Sequence, residues 1–220
     1  MHNLGAQGQT GHAMKRRART FVDTLPAESV PVVLVMLGHN DFVYWPITRQ
    51  DGSNAFSGTE YDPTPDGERQ WEPRLFRVGR WVAGALSAEV PVVNLSDRKQ
   101  VAFTTNLTAL KQRVEDRGGR VYLMTYALPG SPPDDMPDHR RSVIAATRSG
   151  QAEINAALRE IAGTVGVDVL DIEAALPMQD PWTAAEMLDH IHLTALSSTA
   201  LADEVRRLLV ADGLLPPEAL

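Results

Sequence analysis

Val30-Pro31-Val32-Val33-Leu34-Val35-Met36-Leu37, followed at once by Gly38, is the stretch that decides the fold class. It is unbroken by any polar residue and rich in β-branched side chains. A strand with one wet face alternates apolar and polar residues. A continuous apolar run suits a strand covered on both faces, as in a parallel sheet. Val121 to Leu128 (VYLMTYAL) is a second such run, entered through Gly118-Gly119 and ended by Pro129, and Val167 to Ile172 (VDVLDI) is a third. Helical spacing fills the intervals. Met14, Ala18, Phe21, Val22 and Leu25 make one face, and Phe103, Leu107, Leu110 and Val114 another. Ile154, Leu158 and Ile161 make a third, and Leu201, Val205, Leu208 and Leu209 a fourth, with Thr194 as its N-cap and Gly213 as its stop. The alternation predicts an α/β chain: parallel strands near 31–37, 121–127 and 167–172 with helices on both faces.

Residues 42–100 break this rhythm. Asp51 to Asp66 is rich in Gly, Pro, Ser and Asp and reads as irregular loop. Leu75, Val78, Val82, Ala85 and Leu86 suggest one helix, and Val90 to Leu95 a short extended piece. The chain therefore reads as a single domain, 1–220, with an insertion at about 42–100. That insertion leaves the end of the first strand, where open α/β sheets place their function.

Composition narrows the function. With 220 residues, 43% hydrophobic and 22% charged, the chain is of globular type. Its 21 basic residues against 28 acids give a net charge of −7, which disfavours nucleic acid and anionic lipid as partners. Lys15-Arg16-Arg17 with Arg19 reads as a solvated helix face. There is no cysteine, so thiol catalysis, disulfides and cysteine-ligated metal are excluded. No apolar run is long enough to span a bilayer and no export signal is visible, so the expectation is a soluble chain with its compartment and oligomeric state open.

Three segments carry candidate chemistry. Asn3 to Thr10 (NLGAQGQT) precedes the first helix, and its glycines leave backbone N–H groups free to point outward. Leu37-Gly38-His39-Asn40-Asp41 follows the first strand, and Asp189-His190-Ile191-His192-Leu193-Thr194 precedes the last helix. Asp189 and His192 are three apart, close enough for the carboxylate to accept the imidazole Nδ1–H. That contact fixes the tautomer that a general base in acyl transfer needs. The Gly8 N–H and the Asn40 amide are the kind of donors that stabilise an oxyanion. His190 and His192 lack a third ligand at a convincing spacing, so no metal and no cofactor are expected. His39 reads as a local hydrogen-bonding residue and Asp41 as a turn carboxylate. Trp45, Trp71, Trp81 and Trp182 read as packing residues, with Trp45 and Trp71 also placed to stack on a sugar ring.

In these segments the chain resembles the SGNH (GDSL-type) hydrolases. NLGAQGQT is similar to the family's second block, with Gly8 at the oxyanion glycine. LGHND is similar to the third, with Asn40 at the oxyanion asparagine. DHIHLT is similar to the fifth, with Asp189 and His192 at the catalytic acid and base. The resemblance implies a flavodoxin-like, three-layer α/β/α fold, the SGNH hydrolase fold. It also implies a serine ester hydrolase, esterase- or lipase-like or a carbohydrate deacetylase, acting on a small-molecule or carbohydrate ester.

The family's first block, Gly-Asp-Ser, supplies the nucleophile, and this sequence does not contain it. Ser131, after Gly130 at a strand end, is the nearest substitute, though Pro129, Pro132 and Pro133 around it do not resemble a nucleophile turn. Three readings stand: an enzyme whose N-terminal strand or strands and serine are missing from this sequence, a carbohydrate- or ester-binding pseudoenzyme, or a serine supplied by another polypeptide. The first also allows an export signal ahead of the missing block. It predicts that the strand at 30–37 has lost a neighbour.

Overall fold

The computed structural model describes residues 11–36, 42–44, 92–93, 95–178, 180–183 and 193–219. Helix α1 (Gly11–Thr24) leads into β1 (Val32–Val35), and Phe42 into β2 (Val43–Tyr44). Then come β3 (Val92–Val93), α2 (Asp97–Glu115), β4 (Arg120–Met124), α3 (Asp138–Val165) and β5 (Asp168–Leu170). The short α4 (Ile172–Ala175) and the long α5 (Ala195–Ala211) follow, and a 3₁₀ turn at Pro217–Ala219 ends the described chain.

The three apolar runs form one sheet in the order β1-β4-β5, and both pairings are parallel. Val33 sits opposite Val121, and Leu123 opposite Val169. Alternate side chains then go to opposite faces. Val33, Val35, Val121 and Leu123 pack against Ala18 and Val22 of α1, Phe103 to Val114 of α2, and Ile154, Leu158 and Ile161 of α3. Leu34, Tyr122, Met124 and Leu170 pack against Ile172 of α4 and Leu201, Val205, Leu208 and Leu209 of α5. The result is a three-layer α/β/α arrangement, as the alternation predicts.

Helix ends follow local chemistry. Thr194 caps α5, its Oγ1 accepting from the Ser197 N–H at 3.3 Å. Gly213 lies beyond the end of that helix with φ 71°, and Gly166 ends α3 in the left-handed region that suits glycine. The carbonyls at the end of α1 are taken by Arg117, whose guanidinium donates to Val22 O at 2.8 Å, to Leu25 O at 3.0 Å and to Pro26 O. Tyr122 donates its hydroxyl to Asp212 Oδ2 at 2.7 Å and so ties the sheet to the end of α5. Burial, and then that carboxylate, push the Tyr122 phenol up to about 12.

The sequence-based boundaries need three corrections. The strands, Val32–Val35, Arg120–Met124 and Asp168–Leu170, are shorter than the apolar runs, because the outer residues of each run leave the ladder. Ile172, read as the end of the third strand, instead opens α4 and is fully buried. Within the insertion, β2 and β3 pair antiparallel, Val43 opposite Val93, where only the second extended piece is legible in the sequence. Phe42 anchors this ribbon: it is fully buried, its ring 5.5 Å from Phe103. The rest of the insertion, including the helix read at Leu75 to Leu86 and the tryptophans Trp45, Trp71 and Trp81, lies outside the described residues.

β1 is an edge strand among the described residues, an unusual place for so apolar a sequence. Val32 is 38% exposed, and the residues flanking the strand, Val30 and Met36, are 63% and 37% exposed.

The junction between α2 and β4 is the tightest point of this frame. A Cβ on Gly119 would collide with the Pro31 carbonyl and lie 2.8 Å from Val114 Cγ1, whereas one on Gly163, exposed on α3, would meet nothing within 4 Å. Gly119→Ala is expected to cost about 1–3 kcal/mol through overpacking. Gly163→Ala is expected to stabilise by up to about 1 kcal/mol through helix propensity. Urea unfolding midpoints that move in opposite directions at unchanged slope are the expected result.

Candidate functional site

The carboxyl ends of β4 and β5 converge on one polar network. Beyond Met124 the chain leaves the ladder, and α3 takes over the pairing. Asn155 of α3 accepts from the Tyr126 N–H at 2.8 Å and donates to the Tyr126 carbonyl at 2.8 Å, as a neighbouring strand would. Asn155 is fully buried, and the pair satisfies both backbone groups of the half-buried Tyr126. Its amide also donates to Glu173 Oε2 at 3.0 Å.

Arg159, one turn further along α3, grips Asp171 with two bonds, Nε to Oδ2 at 3.0 Å and Nη2 to Oδ1 at 2.7 Å, and reaches Glu173 at 2.6 Å. Thr125 closes the set. Its hydroxyl donates to Asp171 Oδ1 at 2.9 Å and accepts from the Glu173 N–H at 3.0 Å. Arg159 holds the Asp171 carboxyl below the usual carboxylate range, helped by Thr125 and opposed by burial. Asp171 in turn raises the Arg159 guanidinium further, so the pair stays ionised. This network is a scaffold: every member is committed to another, and it fixes where the loops leave the sheet.

Those loops meet at Ser131. Its N–H donates to Asp180 Oδ1 at 2.8 Å, its hydroxyl donates to the same oxygen, and its carbonyl accepts from the Trp182 N–H at 2.7 Å. Arg148 of α3 donates to the Pro129 carbonyl at 2.6 Å and secures the same loop. The Ser131 hydroxyl, and then its N–H, hold the Asp180 carboxyl low. These bonds tie the loop after β4 to the segment at Asp180–Trp182 through Ser131. The sequence offers no signal for this tie, because its partner stands 49 residues away.

Gly8, Asn40, Asp189 and His192 lie outside the described residues, as do His39, Asp41 and His190. Their nearest described neighbours are part of the packed frame. Phe42 is packed against α2, Leu193 packs with Tyr122, Met124 and Val205, and Thr194 starts α5. Four buried side-chain atoms lack hydrogen-bond partners among the described residues: Thr147 Oγ1, Gln151 Oε1, Trp182 Nε1 and Thr183 Oγ1. Such atoms cost about 1–3 kcal/mol each when left unpaired. No group of three or more potential metal ligands occurs among the described residues, and no helix among them is long and apolar enough to cross a membrane.

Comparison with known proteins adds the family. The model of the GDSL-like lipase/acylhydrolase family matches residues 1–198. Among solved structures the chain is similar to a GDSL-like lipase from Bacteroides thetaiotaomicron, at 13% identity over 93% of this chain and 73% of that one, with a TM-score of 0.48. It is also similar to an α/β hydrolase from the metagenome of Lake Arreo, at 16% identity over 97% and 72%, with a TM-score of 0.48. An acetyl xylan esterase aligns at 14% identity over 91% and 76%, with a TM-score of 0.45. No curated protein matches the chain.

The Arg159–Asp171 pair sets a pH dependence. A carboxyl whose folded pKa lies below its ordinary 3.8 adds stability above that value and loses it as pH falls through the folded pKa. Asp171→Asn is therefore expected to lower the urea midpoint at pH 6 and to converge with the parent chain as pH drops below about 3.8. A difference that persists undiminished at pH 2 would show that the charge on Asp171 is not what stabilises the loop ends.

Proposed function

The chain belongs to the GDSL-like lipase/acylhydrolase family, a family of ester hydrolases, and from that premise we propose that it hydrolyses a carboxylic ester through an acyl-enzyme. The observation that carries this reading is the extent of the family match, residues 1–198, which encloses Gly8, Asn40, Asp189 and His192 in the family's order. In the proposed reaction a serine Oγ attacks the acyl carbon while His192 takes its proton. The tetrahedral oxyanion is held by the Gly8 N–H and the Asn40 amide. His192 then protonates the departing alcohol oxygen as the carbon–oxygen bond breaks. Water, deprotonated by the same imidazole, releases the acid, and Asp189 keeps the Nδ1–H oriented throughout.

The nucleophile in this proposal is a Gly-Asp-Ser serine from outside the 220 residues, presented beside β1. Two observations support it: the sequence holds no Gly-Asp-Ser, and the apolar β1 lies at the edge of the described sheet, with Val32 and the flanking Val30 and Met36 exposed. The same missing block favours a second reading, a binding protein on the hydrolase fold that keeps the cleft without the chemistry.

Turnover of 4-nitrophenyl acetate separates the two. The 220-residue chain is expected to be at least about 1,000-fold slower than a form extended by an upstream Gly-Asp-Ser segment, and His192→Ala in the extended form to remove most of the gain. An extended form that folds and stays inactive would favour the binding protein. Ordinary turnover by the 220-residue chain itself would contradict an outside serine.

A further inference from the structure

Three helices, α1, α2 and α3, cover one face of the sheet and share its core. α1 packs beside α2, and α2 beside α3. Charge is divided across this layer. On α1, Arg16 and Arg19 are exposed and Lys15 is half-buried, and none of the three side chains has an ion pair or hydrogen bond among the described residues. Elsewhere in the described frame basic side chains are mostly paired, as Lys111, Arg113, Arg120 and Arg207 are. Lys15 and Arg19 stand four apart and Arg16 and Arg19 three apart, so they repel one another along the helix. No acidic residue in the first turn of α1 offsets them, and Asp23 is taken by Arg113 of α2. On α3, Glu153 and Glu160 are exposed, and their side chains are likewise unpaired among the described residues.

Both sets point away from the sheet. At about 100° per residue, Arg16 lies about 160° around α1 from the buried Ala18, and Glu160 about 160° around α3 from the buried Leu158. Between them, Val101 of α2 lies opposite the buried Leu110 and is 64% exposed. Thr105 and Thr108 continue that exposed stripe. Each hydroxyl donates to the carbonyl four residues back, at 2.8 Å, which leaves the methyl groups facing solvent. The layer therefore has a basic flank, an uncharged middle and an acidic flank. With helices about 10 Å apart and α2 about 28 Å long, its face is about 800 Å², one side of a standard interface.

We infer that this three-helix layer is a self-association surface, on which a second copy of the chain docks about a two-fold axis running along the helices. Such an axis sets α1 of each copy opposite α3 of the other and α2 against α2, so both charge pairings form at once. The cations of each copy then meet the carboxylates of the other, and the exposed Val101 stripes lie between them. The alternative facing, α1 on α1, would set like charges together twice. A nucleic acid or an anionic membrane would meet Glu153 and Glu160 on the same face, with a net charge of −7 behind them. The contact uses neither the edge of β1 nor any proposed catalytic residue, so it stands apart from the ester-hydrolysis proposal.

Sedimentation velocity on the 220-residue chain tests the inference. A dimer is expected, weakening as sodium chloride rises from about 50 mM to about 500 mM. One variant carries Arg16→Glu with Arg19→Glu, and a second carries Glu153→Lys with Glu160→Lys. Each is expected to raise the dimer Kd at least about tenfold while keeping the helical circular dichroism of the parent chain. Mixing the two variants is expected to restore a dimer of one copy of each, because both α1–α3 contacts again join opposite charges. A chain that stays monomeric up to about 0.5 mM in low salt overturns the inference. So does a dimer indifferent to both variants, which would place the contact at another surface such as the edge of β1. A mixture of the two variants that stays monomeric overturns it as well.

Discussion

Asn155 does for the end of β4 what a strand would do if the sheet continued. At Tyr126 the chain has left its ladder, and two half-buried peptide groups need partners. One amide side chain supplies both, at 2.8 Å each. The consequence reaches further than the local bond count. It fixes α3 lengthwise against the sheet, so one half of the helix covers β4 and β5 and the other half rises past their carboxyl ends. It also sets Arg159 within reach of Asp171 and Glu173, and so decides how the chain leaves β5. Leucine at 155 would remove the partner of both the Tyr126 N–H and its carbonyl.

Much of this frame is legible in the sequence because the physics is local. The apolar runs at Val30 to Leu37, Val121 to Leu128 and Val167 to Ile172 reflect burial on both faces, and they form the parallel sheet. Thr194 and Gly213 mark the ends of α5 through hydrogen-bonding and backbone preferences that a single residue type carries. The illegible parts have equally physical causes. α3 shows its apolar stripe most plainly at Ile154, Leu158 and Ile161, because the buried face of its first half carries Thr147, Gly150 and Gln151 beside Ile144. Periodicity weakens there since polar groups occupy inward positions. Ile172 reads as strand because a buried isoleucine is equally at home in a short helix. The Ser131–Asp180 tie and the Arg159–Asp171 grip join residues distant in sequence, and no local pattern announces them. Of the candidate site, Gly8, Asn40, Asp189 and His192 are legible in the sequence because short local blocks carry them.

The division of labour between charged and neutral polar groups is consistent across the carboxyl edge. Charged residues are paired: Arg159 with Asp171 and Glu173, and Asp180 with Ser131. These contacts position loops and leave little free charge. The unpaired buried groups are all neutral.

The central claim is that the chemistry belongs to His192 and a serine presented beside β1, with Ser131 serving only as a tie. Covalent labelling with a fluorophosphonate, read by peptide mass spectrometry, tests it most directly. The account predicts no adduct on any peptide of the 220-residue chain, and one adduct, on the Gly-Asp-Ser serine, in the extended form. An adduct on Ser131 in the 220-residue chain would contradict it.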